Sequence, residues 1–108
     1  MSESEACVVL IGVPDLASAA RIGRALVEER LAAAANLVPG VRSIYRWQGV
    51  VHDAPEVMLV AKTQAARVEA LAARVRALHP YELPGVVALP VVAGDPAYLD
   101  WIAAESSQ

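Results

Sequence analysis

The spacing of apolar residues switches repeatedly along this chain between short strand-like runs and longer helix-like stripes. Ala6–Val13 is a continuous apolar run, typical of a strand that is covered on both faces. Asp15 follows as a candidate N-cap for a helix that reaches about Leu31. A second helical stripe extends from about Ala65 to Leu78. This alternation predicts strands and helices packed in two layers.

The segment between these helices predicts a long hairpin of two strands. The first strand is expected to begin at residue 34 or 35, to bend at Pro39-Gly40, and to continue to about Val51. A Pro-Gly pair inside a strand is typical of a bulge or an edge kink. His52–Pro55 is predicted as the turn, with His52 exposed at its tip. Glu56–Thr63 alternates between two faces and is predicted as the return strand.

The remaining segment predicts a fourth strand and a third helix. Val86–Val92 is apolar but contains Pro90, which favours an edge strand or a bulged strand. Asp95 and Pro96 suit the N-cap and first position of a helix that reaches about Ala104. The order β-α-β-β-α-β with a terminal helix predicts an α+β ferredoxin-like sandwich. Right-handed crossovers place two helices on one face of a largely antiparallel sheet and leave the other face bare.

Length and composition predict one domain that associates with itself. The chain has 108 residues, enough for a single domain, 1–108, with residues 1–5 expected to be disordered and 105–108 frayed. Apolar residues make up 56%, and no apolar run is long enough to cross a bilayer. Met1–Glu5 is acidic where a signal peptide needs positive charge. We therefore expect no membrane partner, and burial of apolar surface against other copies of the chain.

Charge and cysteine content exclude two further classes of protein. Nine basic residues are scattered along a chain of net charge −3, which gives no electrostatic footprint for nucleic acid. The single cysteine, Cys7, can form neither an internal disulfide nor a cysteine-rich metal site. Such cysteine usage is typical of a reducing compartment, and we expect the cytoplasm. Because Cys7 lies in an apolar run, a buried structural thiol is expected.

Reactive side chains concentrate in the connector between the second helix and the fourth strand. His79, Tyr81 and Glu82 lie beside Pro80 and Pro84, which restrict the backbone. Loops held in this way carry function more often than cores do. His79 is suited to metal ligation, to ligand binding, or to a hydrogen bond with the backbone. The residues alone leave these three interpretations open.

Lys62 is the only lysine, and it lies in an apolar strand where a partner carboxylate is expected. Glu82 is the candidate partner. One interpretation is a structural ion pair near a strand end. The other is an anion-binding cleft between subunits, formed by Lys62 with Trp47, His79, Tyr81 and Glu82. Trp47 shares a strand face with the tyrosine two residues before it, which suits interface packing or a ligand cage.

No feature of the sequence favours an enzyme. No serine or cysteine is accompanied by a recognisable base, and neither a glycine-rich phosphate loop nor a metal-hydrolase motif is present. His79 and Glu82 have the chemistry of an acid and a base, but the sequence identifies no nucleophile or substrate for them. A non-enzymatic protein is therefore expected.

Several segments together resemble the CutA family, the divalent-cation tolerance proteins. The resemblance extends from about Val8 to Ile102, with the segments in matching order and spacing. The matching residues are Glu29-Arg30-Leu31-Ala32-Ala33, Asn36, Pro39-Gly40-Val41, Ser43, Tyr45, Trp47, Gly49, Glu56, Lys62-Thr63, His79-Pro80-Tyr81-Glu82, Pro84, Pro90, Gly94, Tyr98-Leu99 and Trp101-Ile102. The resemblance implies a ferredoxin-like protomer in a tight homotrimer, in which hairpin strands extend the neighbour's sheet in a form similar to the PII signalling proteins. Family members are associated with tolerance to copper and other divalent ions, and no enzymatic reaction is established for them.

The copper ligands proposed for this family are largely missing here. Members proposed to bind copper have a cysteine where this chain has Ile11; a second cysteine is common at Ala34 and a glutamate at Gly85. His79 remains as the metal ligand, with Glu82 nearby, and such a pair holds a cation weakly. The resemblance thus implies divalent-ion tolerance or a PII-like signalling role, with weak or absent copper binding. The alternative is a protein that binds a small molecule or an anion between subunits, with metal incidental.

Overall fold

The computed structural model describes residues 5–108. Of the segment 1–5 that was expected to be disordered, residues 1–4 lie outside the described residues, and the carbonyl of Glu5 accepts a hydrogen bond from the Ala65 N–H at 2.8 Å. The elements are β1 (Ala6–Val13), α1 (Leu16–Glu28), β2 (Ala34–Trp47), β3 (Val50–Gln64), α2 (Val68–Leu78), β4 (Val86–Pro90) and α3 (Pro96–Glu105). A short 3₁₀ turn at Ala65–Arg67 leads into α2. The sheet order is β2-β3-β1-β4 with antiparallel neighbours, and the predicted α+β ferredoxin-like arrangement is confirmed. Within residues 5–108, no helix is long and apolar enough to span a bilayer.

The hydrophobic core lies between one face of the sheet and helices α1 and α2. Val57, Leu59 and Ala61 of β3 are buried in this core, and the residues between them face away because side chains alternate along a strand. Asp15 caps α1 as predicted: its carboxylate accepts a hydrogen bond from the Ser18 N–H at 2.7 Å. That bond lowers the pKa of Asp15. The fully buried core residues are Val9, Ile11, Val13, Ala19, Ile22, Leu26, Ala32, Leu59, Ala61, Leu71 and Val75.

Helix α3 covers one end of the opposite sheet face. Asp95 and Pro96 begin this helix as N-cap and first helical residue, as predicted. The side-chain amide of Gln64 in β3 donates to the carbonyl of Ala103 at 3.1 Å, which fixes α3 against the sheet. Beyond α3, this face of the single chain carries exposed apolar side chains, among them Val38, Val87 and Leu89. The predicted bare face is therefore present over much of the sheet.

The hairpin turn lies at Gln48-Gly49, and the predicted turn at His52–Pro55 is wrong. Gln48 and Gly49 have φ angles of 50° and 82°, so a two-residue turn in the left-handed region joins the strands. Strand β3 accordingly begins at Val50, and residues 52–55 pair with β2. The prediction failed because Asp53 and Pro55 carry stronger turn signals than a glutamine, which rarely adopts a positive φ.

Side chains from the misassigned segment hold the hairpin together. Both carboxylate oxygens of Asp53 accept hydrogen bonds from the Arg42 guanidinium, at 2.7 and 2.8 Å, and this pairing lowers the pKa of Asp53. The ring of His52 stacks on Tyr45 with 5.2 Å between centroids, so its predicted position at an exposed tip is wrong. The predicted kink at Pro39-Gly40 is confirmed, because the strand register shifts there.

The last residues pack against the domain, unlike the frayed segment expected at 105–108. Arg30 donates from Nε to the carbonyl of Ser107 and from a terminal guanidinium nitrogen to that of Ala104, both at 2.7 Å. Ser106 is fully buried. Arg30 itself has a φ of 61°, which ends α1 earlier than predicted. Long-range hydrogen bonds of this kind join segments distant in sequence, so the sequence pattern did not reveal them.

Candidate functional site

His79 joins the connector to the first strand. Its backbone is extended at the end of α2, as the following Pro80 favours. The ring nitrogen Nε2 lies 2.7 Å from the carbonyl oxygen of Gly12, and Nδ1 lies 3.0 Å from the backbone nitrogen of Tyr81. A carbonyl can only accept and a backbone N–H can only donate, so Nε2 carries the proton and Nδ1 accepts. Both nitrogens of this buried ring are therefore used inside the protein.

Tyr81 extends this hydrogen-bond network to β3. Its phenol donates to Oε2 of Glu56 at 2.7 Å, and its ring centroid lies 4.8 Å from that of His79. Partial burial raises the pKa of Tyr81, and the hydrogen bond to the Glu56 carboxylate raises it further. The phenol therefore remains a donor at neutral pH. The network fixes the connector to both β1 and β3.

Gly12 allows the side chain of Glu56 to approach β1. A Cβ atom at position 12 would lie 3.2 Å from Oε1 of Glu56, closer than most real contacts. A side chain at this position would require the Glu56 carboxylate to shift by a few tenths of an ångström. Glycine thus leaves room for Glu56 beside β1.

Part of this network lines a cavity of about 710 Å³, which we call the connector pocket. Strand β2 contributes further residues to its wall, including Tyr45 and Trp47. The described residues that line it are Gly12, Ser43, Ile44, Tyr45, Trp47, Glu56, Pro80, Tyr81, Glu82, Leu83 and Gly85. Its volume is within the range of small-molecule sites, about 300–1,000 Å³. Of the predicted site residues, Trp47, Tyr81 and Glu82 line this pocket. His79 is not among the lining residues and holds the connector through its hydrogen bonds with Gly12 and Tyr81.

Lys62 lies away from the connector pocket, and its predicted pairing with Glu82 is wrong. Its Nζ donates to the Tyr98 hydroxyl at 3.2 Å and lies 5.6 Å from the centroid of that ring. Lys62 is paired with Val8 near the start of β1, whereas Glu56 lies beyond the other end of that strand. Lys62 and Glu56 are therefore about 20 Å apart along β3, at ~3.4 Å per residue. Strand register, which the sequence did not fix, decides this separation.

The residues present do not fit a tightly bound copper ion. Within residues 5–108, no group of three or more His, Cys, Asp or Glu side chains is placed to hold a metal. His79, the predicted ligand, would have to break a hydrogen bond with Gly12 or Tyr81 to coordinate one. Cys7 is buried at the far end of β1, as expected of a structural thiol. Copper and zinc need several converging ligands, which residues 5–108 of a single chain do not provide.

Two members of the site, Gly12 and Glu56, were not predicted. A glycine inside a β-branched strand often marks the close approach of another group, and Gly12 carried that signal. Glu56 begins the predicted return strand, and nothing in the sequence connects it to Tyr81. Their contact depends on where the α2–β4 connector crosses the end of the sheet.

The chain matches the family model described as CutA1 divalent ion tolerance protein over residues 7–105. It is 54% identical over 95 residues to the divalent-cation tolerance protein CutA of Thermus thermophilus, covering 88% of this chain and 92% of that protein. It is 48% identical over 89 residues to Protein CutA of Mus musculus, covering 82% of this chain and 50% of the mouse protein. The chain thus spans half the length of that mammalian relative.

Solved structures agree with these sequence relationships. The crystal structure of CutA from Xylella fastidiosa is similar with a TM-score of 0.93 and 45% identity, over 96% of this chain and 100% of that one. The divalent cation tolerance protein from Thermus thermophilus is similar with a TM-score of 0.92 and 50% identity, over 94% and 99% of the two chains. The resemblance found in the sequence is confirmed. The chain belongs to the CutA1 divalent ion tolerance family.

Proposed function

We propose that this chain acts in the cytoplasm as a non-enzymatic homotrimer in the response to divalent metal ions, with a signalling role similar to that of the PII proteins. It binds a small molecule in the connector pocket and binds copper weakly or not at all. One observation carries this proposal: both ring nitrogens of His79 are held by backbone groups beside a cavity of about 710 Å³. The imidazole thereby shapes a pocket instead of ligating a metal.

The apolar surface of the single chain supports the trimer. Near the hairpin turn, Ile44, Val50 and Val51 are 69%, 57% and 58% exposed. Among the described residues, the part of the hairpin beyond Val41 and Glu56 has no strand partner outside the hairpin. Exposed strand edges and apolar surfaces of this kind are usually covered by association. The family resemblance implies that other copies of the chain supply this cover.

Sedimentation equilibrium at micromolar concentration is expected to give three times the chain mass of 11.4 kDa. Ile44→Asp together with Val51→Asp places charges on the hairpin, and we expect the mass of this variant to fall with dilution. Leu16→Asp is the matched control, because Leu16 is 51% exposed at the start of α1, away from the hairpin. A monomeric or dimeric wild-type protein contradicts the proposed assembly.

Isothermal titration of the metal-free protein is expected to give weaker than micromolar binding of Cu(II) and Zn(II). His79→Ala should leave this residual binding unchanged, because the His79 nitrogens are already occupied. His52→Ala should reduce it, since His52 is the other imidazole and is partly exposed on the hairpin. Circular dichroism checks that each variant is folded. Submicromolar binding that disappears in His79→Ala would restore His79 as a metal ligand.

An anion is not favoured as the ligand. Lys62, the cation expected to attract it, lies beside Tyr98 on α3. The charged side chains that line the connector pocket are Glu56 and Glu82. Within one chain, the walls of the connector pocket therefore support a small molecule other than an anion.

A further inference from the structure

The connector pocket is electrostatically negative. Among its described lining residues, Glu56 and Glu82 carry carboxylates and none is lysine or arginine. Besides partial burial, the hydrogen bond with Glu56 and the charge of its carboxylate raise the pKa of Tyr81. In a cavity with partly apolar walls, such charges act more strongly than in bulk water. The pocket should therefore attract cations and repel anions.

Three aromatic rings line the same cavity. In the single chain, Tyr45, Trp47 and Tyr81 are 40%, 36% and 37% exposed, so each ring has surface that a ligand or a neighbouring copy can contact. The face of an aromatic ring is negative and attracts a cation that has few bound waters. Carboxylates and aromatic rings are thus complementary to the same kind of ligand.

A bare metal ion is poorly coordinated by the carboxylates and aromatic rings of this pocket. It needs several oxygen, nitrogen or sulfur ligands, and Glu56 already accepts a hydrogen bond from Tyr81. A substituted ammonium group spreads its charge over alkyl groups and can touch rings and carboxylates together. The cavity of about 710 Å³ is also large for a single ion and suits a small organic molecule.

We infer that the connector pocket binds an organic cation of the substituted-ammonium class, with the charged head against Glu82 and the rings of Trp47 and Tyr81. Glu56 contributes by holding Tyr81 in place and by adding negative charge. This inference rests on the proposed function, which assigns a small molecule to this pocket, and it specifies the chemistry of that molecule.

Two probes of nearly equal shape test the inference on the full-length protein. Choline carries a trimethylammonium head, and 3,3-dimethyl-1-butanol replaces its nitrogen with carbon and is neutral. The chain has two tryptophans, Trp47 in the pocket and Trp101 stacked on Tyr98 of α3. In ¹⁵N NMR spectra, choline is expected to shift the indole N–H signal of Trp47 and to leave that of Trp101 in place. We expect choline to bind at least about tenfold more tightly than the alcohol, and less tightly as sodium chloride is added.

Carboxylate variants identify the charge responsible. Glu82→Gln is expected to weaken choline binding about three- to tenfold and to leave the alcohol unaffected. Glu69→Gln removes a carboxylate from an exposed position on α2, outside the pocket, and should change neither affinity. Trp47→Leu, measured by calorimetry because it removes the NMR signal, should weaken choline more than the alcohol.

The possible outcomes separate this inference from the proposed function. Equal affinity for the two probes, or choline binding that Glu82→Gln does not weaken, overturns the organic-cation class. A Trp47 signal that neither probe shifts overturns it as well, for instance because a neighbouring copy fills the cavity. In each case a trimeric mass and weak copper binding leave the proposed assembly intact. A monomer, or tight copper binding at His79, instead refutes the proposed function itself.

Discussion

Replacement of His79 by alanine is expected to lower the free energy of unfolding by about 3 kcal/mol per chain. The imidazole donates to the carbonyl of Gly12 and accepts from the N–H of Tyr81, so its removal leaves two buried or partly buried backbone groups without partners. An unpaired buried group costs about 1–3 kcal/mol. Urea unfolding at fixed protein concentration measures the loss, since unfolding and dissociation are coupled in an oligomer.

His52→Ala is the matched control for this prediction. His52 stacks on Tyr45 at a partly exposed position, and its removal should cost less than about 1 kcal/mol. His79→Gln should lie between wild type and His79→Ala, because an amide offers both a donor and an acceptor. Equal losses in His79→Ala and His52→Ala would refute the structural role of His79.

Leu59→Ala is expected to lower the free energy of unfolding by about 3 kcal/mol, because it opens a cavity in the fully buried core. Leu59 lies in β3 against Gly23 of α1, where an added Cβ would be 3.2 Å from the leucine Cδ1. Gly23→Ala alone therefore crowds Leu59, and its methyl group also lies 3.3 Å from the Cβ of Ala35. In the double variant the new methyl group enters the space that the leucine leaves. We expect the double variant to cost at least about 1 kcal/mol less than the sum of the single changes.

Leu16→Ala, measured by the same unfolding method, is the control for Leu59→Ala and Gly23→Ala. Leu16→Ala removes an exposed leucine from the start of α1 and should change stability by no more than about 0.5 kcal/mol. Additive effects of Gly23→Ala and Leu59→Ala would mean that the helix and the strand do not meet at these positions.

The fold was predictable where each element carries its own local signal. Ala6–Val13 has a strand's composition, and Asp95-Pro96 has the residues of a helix start, so both boundaries were confirmed. The hairpin turn was not predictable in this way, since Gln48 provides no strong turn signal while Asp53 does. In the folded chain, Asp53 pairs with Arg42 across the hairpin, a contact that exists only after the register is set.

In the candidate site, too, residues with a local sequence signal were predictable and residues placed by tertiary contacts were not. Tyr81 and Glu82 were found because two prolines restrict the short connector that holds them, and Trp47 because aromatic residues cluster on its strand. Lys62 was misplaced because its position along β3 depends on pairing with Val8. Glu56 was not predicted because its contact with Tyr81 joins residues that are distant in sequence. Local patterns identified the chemistry, and tertiary register decided which groups meet.

The central position of β1 has a consequence for synthesis on the ribosome. This strand leaves the ribosome before the other described strands, and its neighbours β3 and β4 are made much later, since Ile11 pairs with Val86. At 5–20 residues per second, an apolar strand therefore waits roughly 4–15 s for its second partner. Strands β2 and β3, joined by a two-residue turn, can form their hairpin within microseconds of leaving the ribosome. The strand made first is thus completed last, and the nascent chain is most exposed to aggregation before β4 arrives.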